Sequence, residues 1–348
     1  ARVRALKLQS TTPVGYALNL LRDHGFFSRP TDPQDTMRSL FWAHPEIIKI
    51  AKANGPDQLI LDCTYKTQRY KLPLLCIYFI TRTGIVLPLA HMLIPGEDNE
   101  NYTEALGYLK ELLEEHSMAM PSTMLHDRDE ALVKALARVF PNVKTQLCIW
   151  HINADVKAQA NAKFGMARLN ANAFTEKEVA DDFLNAYRHC INSPTIADFK
   201  TRTDELRAVK LEDEQDNDNW QDIVDYLWRA WWNDYKHLCV KAWTDNNRHY
   251  GLTTTSPGKG GHAGLKDWLG SARNDIIGLL NRMEPYYECH LMRYRASLAK
   301  AKSSAITTFR TKAFWQRVVR VVSSQALKLA DSQLLKLKQE MAKEKDSL

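Results

Sequence analysis

"QLILDCTYKTQRYKLPLLCIYFITRTGIVLPLAHMLI", residues 58–94, holds three short apolar runs rich in branched residues, over 58–67, 71–81 and 84–94. Arg, Gly and Thr turns separate them, the pattern of three consecutive antiparallel strands. Downstream, "NENYTEALGYLKELLEEH" places Tyr102, Leu106, Leu109, Leu112 and Leu113 on one helical face. "STMLHD" at 122–127 reads as a short buried strand, "RDEALVKALARVF" as a helix stopped by Pro141, and "KTQLCIWH" at 144–151 as a fifth strand. The predicted order is βββαβαβ, a mixed α/β core.

Beyond His151 the pattern changes to apolar residues at helical spacing, in "FTEKEVADDFLNAYRHCI", "DNWQDIVDYLWRAWWNDYKHLCVKAW" and "LKDWLGSARNDIIGLLNRM". Trp220, Trp228, Trp231, Trp232 and Trp243 fall here at spacings of a buried helical face, with base-stacking platforms the alternative. The first fifty residues, through "VGYALNLL" and "MRSLFWAHPEIIKIAKANG", also read as helices, the last ended by Gly55 and Pro56. The expected divisions are a helical N-terminal extension over 1–56, the first part of the core over 57–155 and an all-α insertion over 156–250. The end of the core follows over 251–282, and a basic helical tail over 283–348.

With 348 residues, 45% hydrophobic and 25% charged, the chain has the composition of a folded globular protein. No apolar run is long enough for a bilayer, and "ARVRALKLQS" has neither an apolar signal core nor a cleavage pattern. Six scattered cysteines in apolar surroundings fit reduced thiols better than a disulfide framework. The net charge of +6 is uneven: from Arg293 onward thirteen Lys plus Arg face four Asp plus Glu, a local +9. Such a tail is either a polyanion contact or a solvated helical face.

Two carboxylates end buried apolar runs, where an acid is costly unless it is paired or binds metal: Asp62 after "LIL" and Asp127 after "TMLH". If the first and fourth strands are neighbours, both reach one crevice and could hold Mg²⁺ or Mn²⁺. A pair of such ions suits phosphodiester chemistry. Asp127 has a second reading, as cap of the helix beginning at Arg128 or Asp129. Cys148 and His151 have zinc-ligand chemistry but make only half of a tetrahedral site, so a metal-free structural role fits better. His126, His262 and His290 are candidate partners for them in space.

"LFWAHPEIIKIAKANGPDQLILDCTYKTQRYKLPLL" followed by "LHDRDEALVKALARVFPNVKTQLCIWHINADVK" resembles the Mutator-like element (MULE) transposases, especially their fungal form. The resemblance covers roughly residues 35 to 270. It implies a ribonuclease-H-like core interrupted by an all-α insertion, and an Asp-Asp-Glu metal triad. By that resemblance "LDCTYKT" makes Asp62 the first acid and "HDRDEAL" makes Asp127 the second, with Asp129 a neighbour. "CIWH" matches the family's Cys-x-x-His signature, so Cys148 and His151 would position or close the site.

The family's third acid lies in a segment like Thr-Thr-Ser-Arg-x-Glu-Gly-x-His-x-x-Leu-Lys. This chain has "TTTSPGKGGHAGLK": Thr254, Thr255, Ser256, Gly260, His262, Leu265 and Lys266 match, but the Glu is Lys259. A Lys there removes an oxygen ligand and puts a cation where an ion should sit. Asp267, about two turns further on, lies too far along the helix to replace it; Glu284 or a displaced acid from the insertion are the candidate replacements. The resemblance implies DNA as partner, both element ends and target, and nuclear residence; a homo-oligomer is a further candidate, no small-molecule substrate is expected, and the short apolar runs predict no membrane association. A non-catalytic DNA-binding or protein-interaction descendant is the competing expectation.

Overall fold

A computed structural model describes residues 12–30, 38–164, 173–249, 251–255, 264–303, 309, 311–319, 322 and 324–346. Its centre is a seven-stranded mixed sheet with strands β1 (Phe27–Pro30), β2 (Leu40–Ala43), β3 (Gln58–Thr64), β4 (Leu74–Ile80), β5 (Val86–Leu93), β6 (Thr123–His126) and β7 (Lys144–Leu147). Their order across the sheet is β1-β2-β5-β4-β3-β6-β7. β3, β4 and β5 form the expected antiparallel meander, and β6 and β7 add in parallel to the β3 edge. β3 and β6 are therefore neighbours, as a shared crevice requires.

Antiparallel pairing links Asp62 to Cys76, Cys76 to His91 and His91 to Trp42, so these four side chains stand on one face of the sheet. The opposite face packs on α3 (Asn99–Glu115), which buries Tyr102, Leu106, Leu109, Leu112 and Leu113 as their spacing predicts. Beside α3 lies α4 (Glu130–Val139). Asp129 is the N-cap of α4, accepting from the backbone N–H groups of Ala131 and Leu132 at 2.8 and 3.1 Å. That excludes the capping role for Asp127. The Asp62 face is covered by α11 (Ile276–Ser303), whose Tyr287 hydroxyl meets His91 Nδ1 at 2.8 Å.

The N-terminal region departs from the all-helical expectation. α1 (Pro13–Asp23) is a helix, but Phe27–Pro30 and Leu40–Ala43 pair with each other and extend the sheet past β5. The helix read through "SLFWAHPEII" starts only at α2 (Pro45–Asn54), where His44 Nδ1 accepts the Glu46 N–H and Pro45 occupies the first turn. "LFWA" is wholly buried in the sheet, and an apolar run of four lacks the length that separates strand from helix.

The predicted fifth strand is also shorter. It ends at Leu147, Cys148 is the N-cap position of α5 (Ile149–Lys163), and His151 lies in that helix's first turn. After α5 come α6 (Ala173–Ile191), α7 (Ile196–Ala208), α8 (Glu214–Leu227), a π-helical turn (Trp228–Trp232), α9 (Asn233–Cys239) and α10 (Lys241–Thr244). These enclose a second hydrophobic core of their own, with Trp220, Trp231 and Trp232 buried and Trp228 and Trp243 partly so. The insertion tryptophans are thus core residues.

The returning chain rejoins the main core through Leu265 and Leu269. Gly270, at φ 63°, breaks the helix before α11. α11 runs without interruption across the boundary drawn at 282/283, and Met283, Tyr286, Tyr287 and Leu291 are main-core residues. The first turns of the supposed tail therefore belong to the core. The basic C-terminal segment ends in α12 (Ser324–Asp346), held near Trp315 by Asp331, which accepts from Trp315 Nε1 at 2.8 Å and Lys312 Nζ at 2.6 Å.

Candidate active site

The candidate acids come together through strand register. Ile60 of β3 is level with Leu125 of β6, and two residues further along each parallel strand stand Asp62 and Asp127. His126 is level with Leu147 of β7, so one step further Asp127 is followed across the sheet by Cys148. Adjacent strands are about 4.8 Å apart. Asp62, Asp127 and Cys148 hence form one row along the carboxyl ends of three parallel strands, where open α/β sheets form their crevices. Asp62 is buried in this row, 6% exposed, while Asp127 is open enough at 38% to meet a ligand.

The helix start at Cys148 decides what happens next to Asp127. With Cys148 as cap, the first turn of α5 brings the His151 ring back over the end of β6, and His151 Nδ1 ion-pairs with Asp127 Oδ1. Burial works against a charged imidazole there, but hydrogen bonds to Asp127 and Cys148 outweigh it and push the His151 pKa up to about 9. The Cys148 thiol shows the mirror effect. Burial raises it, yet bonds from His151 and Thr255 carry its pKa below the ordinary thiol value. Thr255 donates both its backbone N–H and its hydroxyl to Cys148 Sγ, at 3.1 and 3.2 Å. At neutral pH the Asp127 carboxylate therefore faces an imidazolium.

The chain returns from the insertion at this same place. Ile149 N–H donates to the Thr253 carbonyl at 3.0 Å, and Lys266 lies close enough to favour the Cys76 thiolate that Asp62 disfavours, though burial dominates that thiol. The loop after β3 is tied there too, Arg69 N–H donating to the Asn274 carbonyl at 2.9 Å. Ser256, Lys259 and His262 lie outside the described residues. Thr254 and Thr255 on one side of them and Leu265 and Lys266 on the other are the matched positions that can be followed.

Two other groupings test the remaining candidates. Glu284 pairs with His24 at 3.9 Å and clusters with His44 and Glu288. His44 follows β2, three strands from β3, about 14 Å across the sheet. Glu284 therefore does not replace the third acid. Nor is this cluster a metal site as it stands: His44 Nδ1 accepts the Glu46 N–H, so the neutral ring carries its proton on Nε2. His126 and His290 do not join Cys148 either. His126 is wholly buried, with Nδ1 against the Asp127 carbonyl at 2.7 Å, and His290 belongs to α11, beside Tyr286.

The donor chemistry separates into two sets. Asp62 and Asp127 offer hard oxygens suited to Mg²⁺ or Mn²⁺. Asp127, Cys148 and His151 bring O, S and N atoms within 4.8 Å of one another, a set closer to zinc's taste, but His151 Nδ1 is already engaged by the carboxylate. Among these donors the contact seen in the structure is that of His151, itself bonded to Cys148, which holds the second carboxylate from behind.

Sequence alone did not reveal Arg128. Its guanidinium lies 4.6 Å from the Trp231 ring centre and 5.7 Å from that of Tyr235, and Nη1 donates to the Ala230 carbonyl. The residue after the second acid therefore pins the insertion's π-helical turn to the core. Tyr102 is a second such find: its hydroxyl lies 3.1 Å from Glu97 Oε1 and 3.2 Å from Asp129 Oδ2, behind the Asp127 loop. For Arg128 the only signal was its place beside Asp127, since Ala230 is 102 residues away; Tyr102 was legible only as a residue of the buried helical face.

Residues 58–155 match the MULE transposase domain. The MULE segment thus includes Asp62, Asp127, Cys148 and His151, the whole row just described. Among curated proteins, the chain is 24% identical over 127 residues to Protein FAR1-RELATED SEQUENCE 5 of Arabidopsis thaliana, covering 36% of this chain and 16% of that protein. Protein FAR1-RELATED SEQUENCE 6 of the same plant is 22% identical over 135 residues, 39% of this chain and 18% of the relative. A longer alignment, 21% identical over 253 residues, joins 70% of this chain to 5% of the PKS-NRPS hybrid synthetase cheA of Chaetomium globosum. The chain spans less than a fifth of each of these relatives. The MULE match supports a transposase-related function.

Proposed function

We propose that the chain is a DNA transposase domain with a ribonuclease-H-like core, and that Lys259 in place of the third acid leaves it a DNA-binding module without a complete two-ion centre. The observation that carries this is the alignment of Asp62 and Asp127 at the ends of paired parallel strands inside the MULE segment. The antiparallel meander followed by two parallel strands supports the ribonuclease-H-like assignment. So does the all-α unit between β7 and the Lys259 segment, which fills the place of the family's insertion.

In this reading Asp62 and Asp127 hold one Mg²⁺ or Mn²⁺, which when bound would neutralise phosphate charge and lower the pKa of an attacking hydroxyl. The protein's part is positional. β3 and β6 fix the separation of the two carboxylates, His151 orients Asp127, and Thr255 fixes Cys148 beneath His151. Exchanging a −1 ligand for a +1 side chain removes a donor and repels a second ion, so strand cleavage weakens while backbone binding, which depends on cations, does not. DNA, at element ends and target, is the proposed partner, and the nucleus the proposed site of action.

The test is Mg²⁺- and Mn²⁺-dependent nicking of supercoiled DNA by the chain as written, by Lys259→Glu, and by Lys259→Glu with Asp62→Ala. Cutting by Lys259→Glu alone is the expected result. Cutting by the unaltered chain that Asp62→Ala abolishes would show that another group supplies the third ligand. Failure of every form to cut or to bind DNA at low salt would remove the transposase reading.

A further inference from the structure

We propose that the groove between α5 and α6 is a nucleobase pocket, in which Trp150 stacks on a base of the DNA strand that passes Asp127. This rests on the DNA reading above and adds a subsite to it. The groove is a cavity of about 330 Å³, lined by Trp150, Asn153, Lys157, Leu184, Tyr187 and Arg188. That volume lies at the lower end of the roughly 300–1,000 Å³ usual for small-ligand sites.

Two helical stripes build it. Trp150, Asn153 and Lys157 follow one another at helical spacing on α5, and Leu184, Tyr187 and Arg188 do so on α6. Leu184 and Tyr187 are buried and form an apolar floor. The Tyr187 hydroxyl donates to Asn153 Oδ1 at 2.9 Å, which fixes the amide and leaves its Nδ2 end to donate to a base edge. Lys157 and Arg188 are exposed and supply two cations, matched to a phosphate on either side of a bound nucleotide.

Trp150 is 46% exposed, whereas Trp220, Trp231 and Trp232 of the insertion are buried. Exposure alone would carry nothing, because single surface aromatics are common. Its position is what matters: the ring stands edge-on to His151, centroids 5.1 Å apart, and His151 holds Asp127. A base on Trp150 is therefore one side chain removed from the metal-binding carboxylate. A flat ring, a hydrogen-bonding amide and paired cations beside a phosphodiester site are the components of base capture from an unpaired strand.

The test uses the full chain, with fluorescein-labelled single-stranded DNA and its duplex, by fluorescence anisotropy at low salt. Trp150→Ala should weaken single-strand binding roughly 5- to 150-fold, the span expected for one stacked base. Trp150→Phe should keep most of the affinity because a ring remains, and duplex binding should change far less. Lys157→Ala with Arg188→Ala should lower the salt dependence by about two phosphate contacts. A 2-aminopurine in the strand should be quenched by the unaltered chain and not by Trp150→Ala. If the unaltered chain binds DNA and Trp150→Ala binds single strands equally well with the same quenching, the pocket is refuted while the DNA reading stands. If Trp150→Ala loses thermal stability, Trp150→Phe decides: binding as weak as the alanine variant's refutes the stacking role. If the unaltered chain binds no DNA, both fall together.

Discussion

His290 makes a quantitative prediction about acid stability. The imidazole is 9% exposed on α11, its ring 4.6 Å from that of Tyr286, and the helix presses it toward β5. Burial is the main reason its pKa falls, Arg293 adds to it, and a hydrogen bond with the Val86 backbone opposes it; the result is about 4 against 6.5 for an ordinary histidine. The unfolded chain therefore binds a proton below pH 6.5 that the folded chain refuses until about pH 4. Stability is unaffected above 6.5 and is lost as the pH falls through that window. From the two pKa values the loss is on the order of 1 kcal/mol at pH 5.5 and 2–3 kcal/mol at pH 4.5. Urea unfolding of the unaltered chain and of His290→Gln at pH 7, 5.5 and 4.5 isolates this residue from His44 and His126, whose pKa values burial also lowers. The gap between the two curves should narrow by those amounts on acidification. Parallel curves, or an imidazole that titrates above pH 6 by NMR, would refute the argument.

Other positions offer equally direct tests. Arg128→Ala removes a guanidinium from the faces of Trp231 and Tyr235 and a hydrogen bond to Ala230, and should cost about 1–2 kcal/mol in urea while opening the insertion to limited proteolysis. Tyr102→Phe deprives Glu97 and Asp129 of a shared donor and should lower stability by about 1–3 kcal/mol, read from the thermal midpoint. Gly270→Ala forces a side chain into φ 63° with its Cβ 3.2 Å from Arg282 Nη1, so a loss of at least about 1 kcal/mol is expected by urea titration.

The strands that alternate with turn residues were legible from the sequence because three runs in succession leave little choice of pairing. β1 and β2 were not. "FSRP" and "LFWA" are four residues each, and "LFWA" runs almost directly into the apolar face of α2, so the two elements read as one helix. The end of β7 was overrun for a related reason: "CIW" continues the apolar run, although the backbone turns into helix at Cys148. Asp62 and Asp127 stood out because each is an acid closing an apolar run. The ion pair between Asp127 and His151 did not, since it depends on where α5 begins. Arg128's contacts with the insertion required two cores more than a hundred residues apart in sequence to meet, information that no local pattern carries.

The order in which the chain covers its sheet has a consequence for synthesis. All seven strands lie before residue 148, and α3 closes one face within the same stretch. The face bearing Trp42, Tyr78 and His91 is closed only in part so early, by α1 beside Trp42: Tyr286 and Tyr287 belong to α11, translated only after the whole insertion. At about 5–20 residues per second, a nascent sheet waits roughly 7–28 seconds for that helix. During this interval the aromatic patch around Tyr78 and His91 that α11 will cover is open to other chains and to chaperones, and the insertion must fold while its own core is kept apart from it.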